Sequence, residues 1–353
     1  MASAETDFTH RIANRFAGSY ALAGTYHEHR YAEQAPRFVA RAAELVTAET
    51  GLVTAGEPTV EVVSRSRWVD VNIAAFEKLM EPVAARLLKR DTQRSSGRGD
   101  KRGLSGKSGQ LIGAEIGALL GLVSRRVLGQ YELVLPTADG SYGDTVMFVG
   151  ANVLAMERAH EFNPKDFRFW VALHECTHRA QFLGVPWLRD YFFSLVEDLT
   201  AHTEPSGSQL QRVLQTVRQA SEQGNPVLDD TGVIGLFASD EQRTTIDRVQ
   251  ALMCLLEGHG HIVMDRIAAR TIVSQARMSK VLASRRANPR VAAFLRFIGI
   301  EMKLKQYSLG ASFISHVEDT AGWDYLNVAF ESPEALPTLN EINDPALWLS
   351  RTG

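Results

Sequence analysis

The segment RFWVALHECTHRAQF, residues 168–182, constrains this chain most, because it places two histidines and a glutamate inside an apolar run. His174 and His178 are four residues apart, and Glu175 follows the first of them directly. Residues with this spacing lie on one face of a helix, so both imidazoles can reach one ion. An unpaired buried imidazole or carboxylate is unfavourable by several kcal/mol. A bound metal ion is therefore an expected partner.

The residues before the motif predict where its helix begins. Asn163 is a strong N-cap residue, Pro164 suits the first helical position, and Asp166 would lie near the positive end of the helix. The alternative to a metal site is a pair of core histidines bonded to backbone carbonyls. Glu175 favours the metal, because an H-E-x-x-H helix uses its glutamate as the general base of a zinc hydrolase.

A hydrolytic zinc site needs a third protein ligand, and two glutamates compete for the role. The spacing of Glu197 after His178 resembles that of thermolysin-like and aminopeptidase zincins. Helical phase, however, places Glu197 on a polar face with Asp190. Glu257 lies in ALMCLLEGHGHIVMD, a helix that is apolar almost all round. We therefore predict Glu257 as the third ligand and keep Glu197 as the alternative.

Other charged and polar side chains bear on the role of Glu257. A salt bridge to Arg243 or Arg179 is the alternative to metal binding, because a buried carboxylate needs a partner. His261 follows Glu257 by one helical turn and Asp265 by about two. Either side chain could orient a ligand imidazole through a hydrogen bond, as groups around metal ligands usually do.

Composition limits the class of protein. The 353 residues are 45% hydrophobic and 22% charged, which is typical of a globular chain with a large core. A net charge of −3 gives no overall basic field, so we predict neither nucleic acid nor membrane as a partner. Cys176 and Cys254 are too few for a disulfide framework and are predicted to be core residues. Without a signal-peptide or membrane-spanning pattern, the predicted location is the cytoplasm.

Helical periodicity dominates the chain, for example in APRFVARAAELVTAET and AAFEKLMEPVAARLLKR. We predict an N-terminal helical region over 1–88, a flexible basic loop over 89–109 and a core over 110–353. The core and the N-terminal region are expected to form one compact unit. The predicted fold is therefore mostly α, of the α+β class, with a largely helical body.

Two further patterns place structure before the metal motif. Gly109, Gly113, Gly117 and Gly121 recur every four residues, which predicts a helix face that allows close backbone approach. The runs YELVLP and DTVMFV, separated by the turn-rich TADGSYGD, predict a β-hairpin beside the active-site helix.

The combination of WVALHECTHRAQFLGVPWLRD, DRVQALMCLLEGHGHIVMD, KLKQYSLGASFI and SPEALPTLNEINDP resembles a family of actinobacterial zincin-like metallopeptidases. Its members carry a hydrolase label or one tied to deazaflavin-coenzyme biosynthesis. The resemblance runs from about Trp68 to the C-terminus. It implies a largely helical zincin with a small sheet and places the ligand glutamate at Glu257. Related gluzincins commonly have an aspartate four residues later; this chain has His261 there, with Asp265 as a possible substitute.

The leading hypothesis is a zinc-dependent hydrolase, and specifically a peptidase. His174, His178 and Glu257 would hold Zn²⁺, and Glu175 would deprotonate water. The substrate would be a peptide or protein, which the run DTVMFV could align as an edge strand. One alternative is a non-catalytic zinc-binding protein. Another is a di-iron protein, because Glu175 and His178 also form a Glu-x-x-His element. No flavin or nucleotide fingerprint supports the coenzyme label.

Overall fold

A computed structural model describes residues 2–94, 113–135 without 115, 143–201, 240–286 and 301–353. Contacts between Cα atoms group the chain into two compact units. The first unit comprises Met1–Ala180 and Ile267–Met278, and the second comprises Gln181–Arg266 and Ser279–Gly353.

The described residues are mostly helical, which confirms the predicted fold class. In chain order, the elements are α1 (Ala2–Ala17), α2 (Tyr26–Thr50), β1 (Thr59–Val63), α3 (Arg65–Arg94), β2 (Gly129–Glu132), β3 (Thr145–Val149), α4 (Gly150–His160), α5 (Pro164–Gly184), α6 (Leu188–Ala201), α7 (Asp240–Thr271), α8 (Gln275–Arg286), α9 (Glu301–Ala321), a 3₁₀ helix (Trp323–Phe330), α10 (Leu339–Asn343) and α11 (Pro345–Thr352). The unit boundaries at 180 and 266 fall inside α5 and α7.

The strands of the first unit form a three-stranded sheet in the order β1-β3-β2. Strand β2 pairs antiparallel with β3, with Gly129 opposite Phe148, which confirms the predicted hairpin. The first strand of the hairpin begins two residues before the predicted run YELVLP and ends at Glu132. Strand β1 pairs parallel with the other side of β3, with Thr59 opposite Thr145. The prediction that DTVMFV is an edge strand is therefore wrong, because β3 is the central strand. Its second partner comes from the distant segment TVEVV.

The two faces of the sheet pack against different helices of the first unit. Met147 and Val149 of β3 belong to an apolar cluster that includes Trp68 of α3 and Ala13 of α1. Phe148 points to the opposite face, since successive side chains of a strand alternate. There its ring lies 5.6 Å from the ring of Tyr31 on α2.

The glycine pattern also allows a close helix contact in the first unit. A Cβ added to Gly117 would lie 2.5 Å from the carbonyl oxygen of Thr9, and one added to Gly121 would lie 2.7 Å from Cβ of Phe16. These distances leave no room for a side chain, so the predicted close approach is confirmed at both glycines. Gly109 lies outside the described residues.

Helix α3 extends to Arg94, into the segment for which the sequence predicts a loop from residue 89. Residues 95–109 of that segment lie outside the described residues. The predicted boundaries at residues 88 and 110 stay a prediction.

The second unit has its own buried core. The side chain of Trp348 on α11 is fully buried, and its indole N–H donates to the carbonyl of Ala335 at 2.8 Å. Its ring lies 5.4 Å from that of Phe313 on α9. Within the described residues, no helix of the chain combines the length and apolar character that crossing a bilayer requires.

Candidate metal centre

Helix α5, which carries the H-E-C-T-H motif, begins where the sequence predicts. Pro164 is its first residue, and Oδ1 of Asn163 accepts a hydrogen bond from the backbone N–H of Lys165 at 3.0 Å. Asp166 accepts a bond from the Ser274 hydroxyl at 2.9 Å. The start of α5 is thus capped and attached to its surroundings by side-chain hydrogen bonds.

A buried ion pair holds the N-terminal half of α5. Arg168 donates from Nε and Nη2 to the two carboxylate oxygens of Glu157 on α4, at 2.7 and 2.9 Å. Burial raises the pKa of Glu157 despite the hydrogen bonds from Arg168. The guanidinium also lies 4.7 Å from the ring centroid of Tyr31. Bidentate pairs of this kind fix orientation as well as distance.

A second buried arginine directly follows the motif. Arg179 donates from Nε and Nη2 to the two carboxylate oxygens of Asp144, both at 2.8 Å. Its other bonds, from Nη1 and Nη2, reach the loop before β1 through the oxygens of Thr54, Ala55 and Gly56. Arg179 therefore connects the metal-motif helix to the residue before β3 and to this loop.

The two histidines of the motif converge as predicted. Their Nε2 atoms lie 3.2 Å apart, and their rings are 4.6 Å apart at an angle of 80°. Two nitrogens bound to one tetrahedral zinc at about 2.05 Å would be separated by roughly 3.3 Å. The spacing of His174 and His178 therefore fits shared ligation of one zinc ion.

Glu257 completes a group that could hold a metal ion. The ligand atoms of His174, His178 and Glu257 all lie within 4.8 Å of one another. Glu257 is buried, with 3% of its surface exposed. Two imidazoles and one carboxylate form the donor set of many hydrolytic zinc sites, so these residues fit zinc. Glu197 does not belong to the group, and it is exposed on α6, as helical phase predicted.

Glu175 is buried beside the first strand of the hairpin. Only 5% of its surface is exposed. A Cβ added to Gly129 of β2 would lie 2.6 Å from Oε1 of Glu175 and 2.9 Å from its Cδ. The carboxylate of Glu175 thus occupies the space that a side chain at Gly129 would fill. Sequence reasoning missed Gly129, although a glycine inside a strand often marks such a close approach.

The polar residues that follow Glu257 contact each other. Nε2 of His261 lies 3.6 Å from Oδ2 of Asp265, one turn further along α7. The hydroxyl of Ser279 donates to Oδ1 of Asp265 at 3.0 Å. The predicted role of His261 and Asp265 in orienting a ligand imidazole stays a prediction.

Both cysteines are buried and neither forms a disulfide, which confirms their predicted place in the core. The Sγ of Cys176 lies 3.6 Å from the carbonyl oxygen of Val39 on α2. Burial raises the pKa of the Cys176 thiol to about 12, so it stays protonated at neutral pH.

The sequence matches the family model of the zincin-like metallopeptidases over residues 5–349. Among solved structures, the chain is similar to the crystal structure of a "putative hydrolase with a novel fold" from Chloroflexus aurantiacus. The two chains are 28% identical with a TM-score of 0.70, and the match covers 98% of this chain and 97% of the other. Comparison with curated proteins gives no match.

Proposed function

The chain belongs to the zincin-like metallopeptidase family, and on this premise we propose that it is a zinc-dependent hydrolase that cleaves peptide bonds. One observation carries the proposal. The ligand atoms of His174, His178 and Glu257 converge within 4.8 Å, and buried Glu175 follows the first ligand directly. This arrangement supplies three ligands and a neighbouring base, whereas structural zinc sites usually have four protein ligands.

The residues divide the chemistry between binding and proton transfer. When bound, zinc would act as a Lewis acid and make water a usable nucleophile near neutral pH. His174 and His178 bind through neutral imidazole nitrogens, and Glu257 supplies one negative charge. Glu175 accepts the proton of the attacking water and passes it to the leaving amine as the peptide C–N bond breaks. The close contact with Gly129 limits movement of the Glu175 carboxylate toward β2.

Strand β2, rather than β3, is the strand suited to align an extended peptide. Val149 donates to the carbonyl of Leu128 at 2.9 Å, so these two residues form a hydrogen-bonded pair. Hydrogen-bonded and non-hydrogen-bonded pairs alternate along an antiparallel ladder. The backbone groups of Gly129 and Tyr131 therefore point away from β3. We propose that a substrate backbone pairs with them, next to Glu175, by β-augmentation.

A di-iron site is less well supported by the same geometry. The group that could hold an ion contains one carboxylate and two histidines. Di-iron bundles use a glutamate from each of two helices and a Glu-x-x-His element from each of two others. Within the described residues, the donor set therefore suits a single zinc ion better than a pair of irons.

The test compares hydrolysis of a peptide library by the wild-type chain and Glu175→Gln, with zinc content measured for both. We expect the wild type to cleave peptides, and Glu175→Gln to keep its zinc while kcat falls at least about 100-fold. Glu197→Gln is the matched control and should behave as wild type, because this glutamate is exposed. Undiminished cleavage by Glu175→Gln would contradict the mechanism. Zinc binding without cleavage by the wild type would instead indicate a non-catalytic zinc protein.

A further inference from the structure

Helices α7 and α9 of the second unit touch through their backbones at two glycines. A Cβ added to Gly258 of α7 would lie 2.7 Å from Cα of Gly310 and 2.8 Å from the backbone nitrogen of Ala311 on α9. A Cβ added to Gly310 would lie 2.8 Å from the carbonyl carbon of Cys254 and 3.1 Å from Cα of Gly258, and it would overlap the Cys254 oxygen. All of these neighbours are backbone atoms, so no side chain can move aside to make room.

This crossing lies next to the predicted third zinc ligand. Glu257 directly precedes Gly258, and Cys254 lies about one helical turn before both. The surroundings are tightly packed, because Phe313 and Ile314 on α9 are fully buried and Leu256 on α7 is 1% exposed. A change in the separation of the two helices at this point would therefore move the backbone that carries Glu257.

We propose that Gly258 and Gly310 are positioning residues for Glu257, because their contact sets where α7 holds that carboxylate. The inference rests on the proposed function, since it takes Glu257 to be a zinc ligand. Neither glycine is proposed to touch the ion or the substrate. Their contribution is the backbone separation that the absence of a Cβ allows.

The expected effect on zinc binding follows from the distances. An ordinary van der Waals contact of a Cβ is about 3.5–4 Å, so an alanine at either glycine must separate the helices by roughly 1 Å. Metal–ligand distances tolerate only about 0.2 Å. We therefore expect zinc affinity to fall about 10- to 100-fold, as it does when groups that orient metal ligands are lost. At a helical position without such a contact, alanine would instead favour the helix over glycine.

The experiment is a competitive zinc titration of the full chain with Gly258→Ala and Gly310→Ala, alongside wild type and Glu257→Ala. Ser312→Ala is the matched control, since it alters an exposed position of α9. We expect both glycine variants to lose affinity, the control to bind as wild type, and the double glycine variant to lose little more than either single one. Cobalt spectra provide a second readout: the absorption bands should change in the glycine variants and stay unchanged in Ser312→Ala.

The outcomes separate this inference from the proposed function. Wild-type zinc affinity in both glycine variants, together with loss of zinc in Glu257→Ala, overturns only the positioning role. Zinc retained by Glu257→Ala removes Glu257 as a ligand and overturns both proposals. If the glycine variants do not fold, Glu257→Asp tests whether zinc binding needs accurate placement of the carboxylate, because it withdraws the carboxylate by one methylene without changing the helix crossing. A tenfold loss of zinc affinity supports the positioning role, and wild-type affinity overturns it.

Discussion

The carboxylate of Glu175 packs directly against the Cα of Gly129, so closely that an added methyl group would lie 2.6 Å from Oε1. The proposed general base thus extends from α5 to β2, the strand that we expect to bind substrate. This contact limits where the buried carboxylate of Glu175 can lie.

Gly129→Ala should displace the carboxylate of Glu175 and lower kcat at least about 100-fold, as expected for loss of a general base. Zinc content should stay at the wild-type level, because Gly129 is not a ligand. Steady-state kinetics and metal analysis of the same preparation check both parts. Gln130→Ala is the control, since Gln130 points to the other face of the sheet, where it contacts Asn72. Wild-type kcat in Gly129→Ala would show that the contact does not position Glu175.

Asp144→Asn and Arg179→Met should each lower the free energy of unfolding by roughly 3 kcal/mol. Each substitution leaves the other member of a largely buried ion pair without an opposite charge. Urea unfolding of the metal-free protein measures this. Arg41→Ala is the control: its pair with Glu44 is exposed on both sides and should contribute less than about 1 kcal/mol. Equal effects of the buried and exposed pairs would contradict a structural role for Arg179.

Tyr31→Phe should not destabilise the protein at pH 7, and it should increase stability at high pH. The side chain is fully buried, and its hydroxyl has no hydrogen-bond partner within the described residues. Removing such a group can be neutral or stabilising. Burial, followed by the charge of Glu157, raises the pKa of Tyr31 well above its usual value.

The contribution of Tyr31 to the free energy of unfolding falls as the pH rises. Tyr31 remains protonated in the folded state, whereas the unfolded chain ionises near pH 10. Its contribution to stability is thus complete below about pH 10 and is lost as the pH rises further. Urea unfolding at pH 11 should therefore find Tyr31→Phe about 1 kcal/mol more stable, relative to wild type, than at pH 7. A variant that is clearly less stable at pH 7 would indicate that the hydroxyl forms a stabilising bond.

Patterns among residues close together in the sequence predicted where the metal-motif helix begins and which of its side chains share a face. The cap at Asn163 and the i, i+4 spacing of His174 and His178 determine where α5 begins and which face carries both imidazoles. Helical phase also separated the two glutamates correctly by exposure, because Glu197 is exposed and Glu257 is buried. The role of Glu257 as a ligand stays a prediction.

Features that depend on distant segments were not visible in the sequence. The central position of β3 follows from pairing with β1, and a parallel partner far along the chain leaves no mark on the local pattern. The close contact of Gly258 with Gly310 is of the same kind, since each glycine alone is only a weak helix former. Gly129 could have been singled out as a glycine in a strand, but its partner Glu175 could not.

Metal identity and stoichiometry test the proposed zinc site most directly, measured by mass spectrometry on the purified wild type, Glu257→Ala and Glu197→Ala. We expect one zinc per chain in the wild type and in Glu197→Ala, and loss of the zinc in Glu257→Ala. Two irons per chain would contradict the zinc mechanism. Zinc retained by Glu257→Ala, or no metal in wild type purified under metal-replete conditions, would contradict the proposed ligand set.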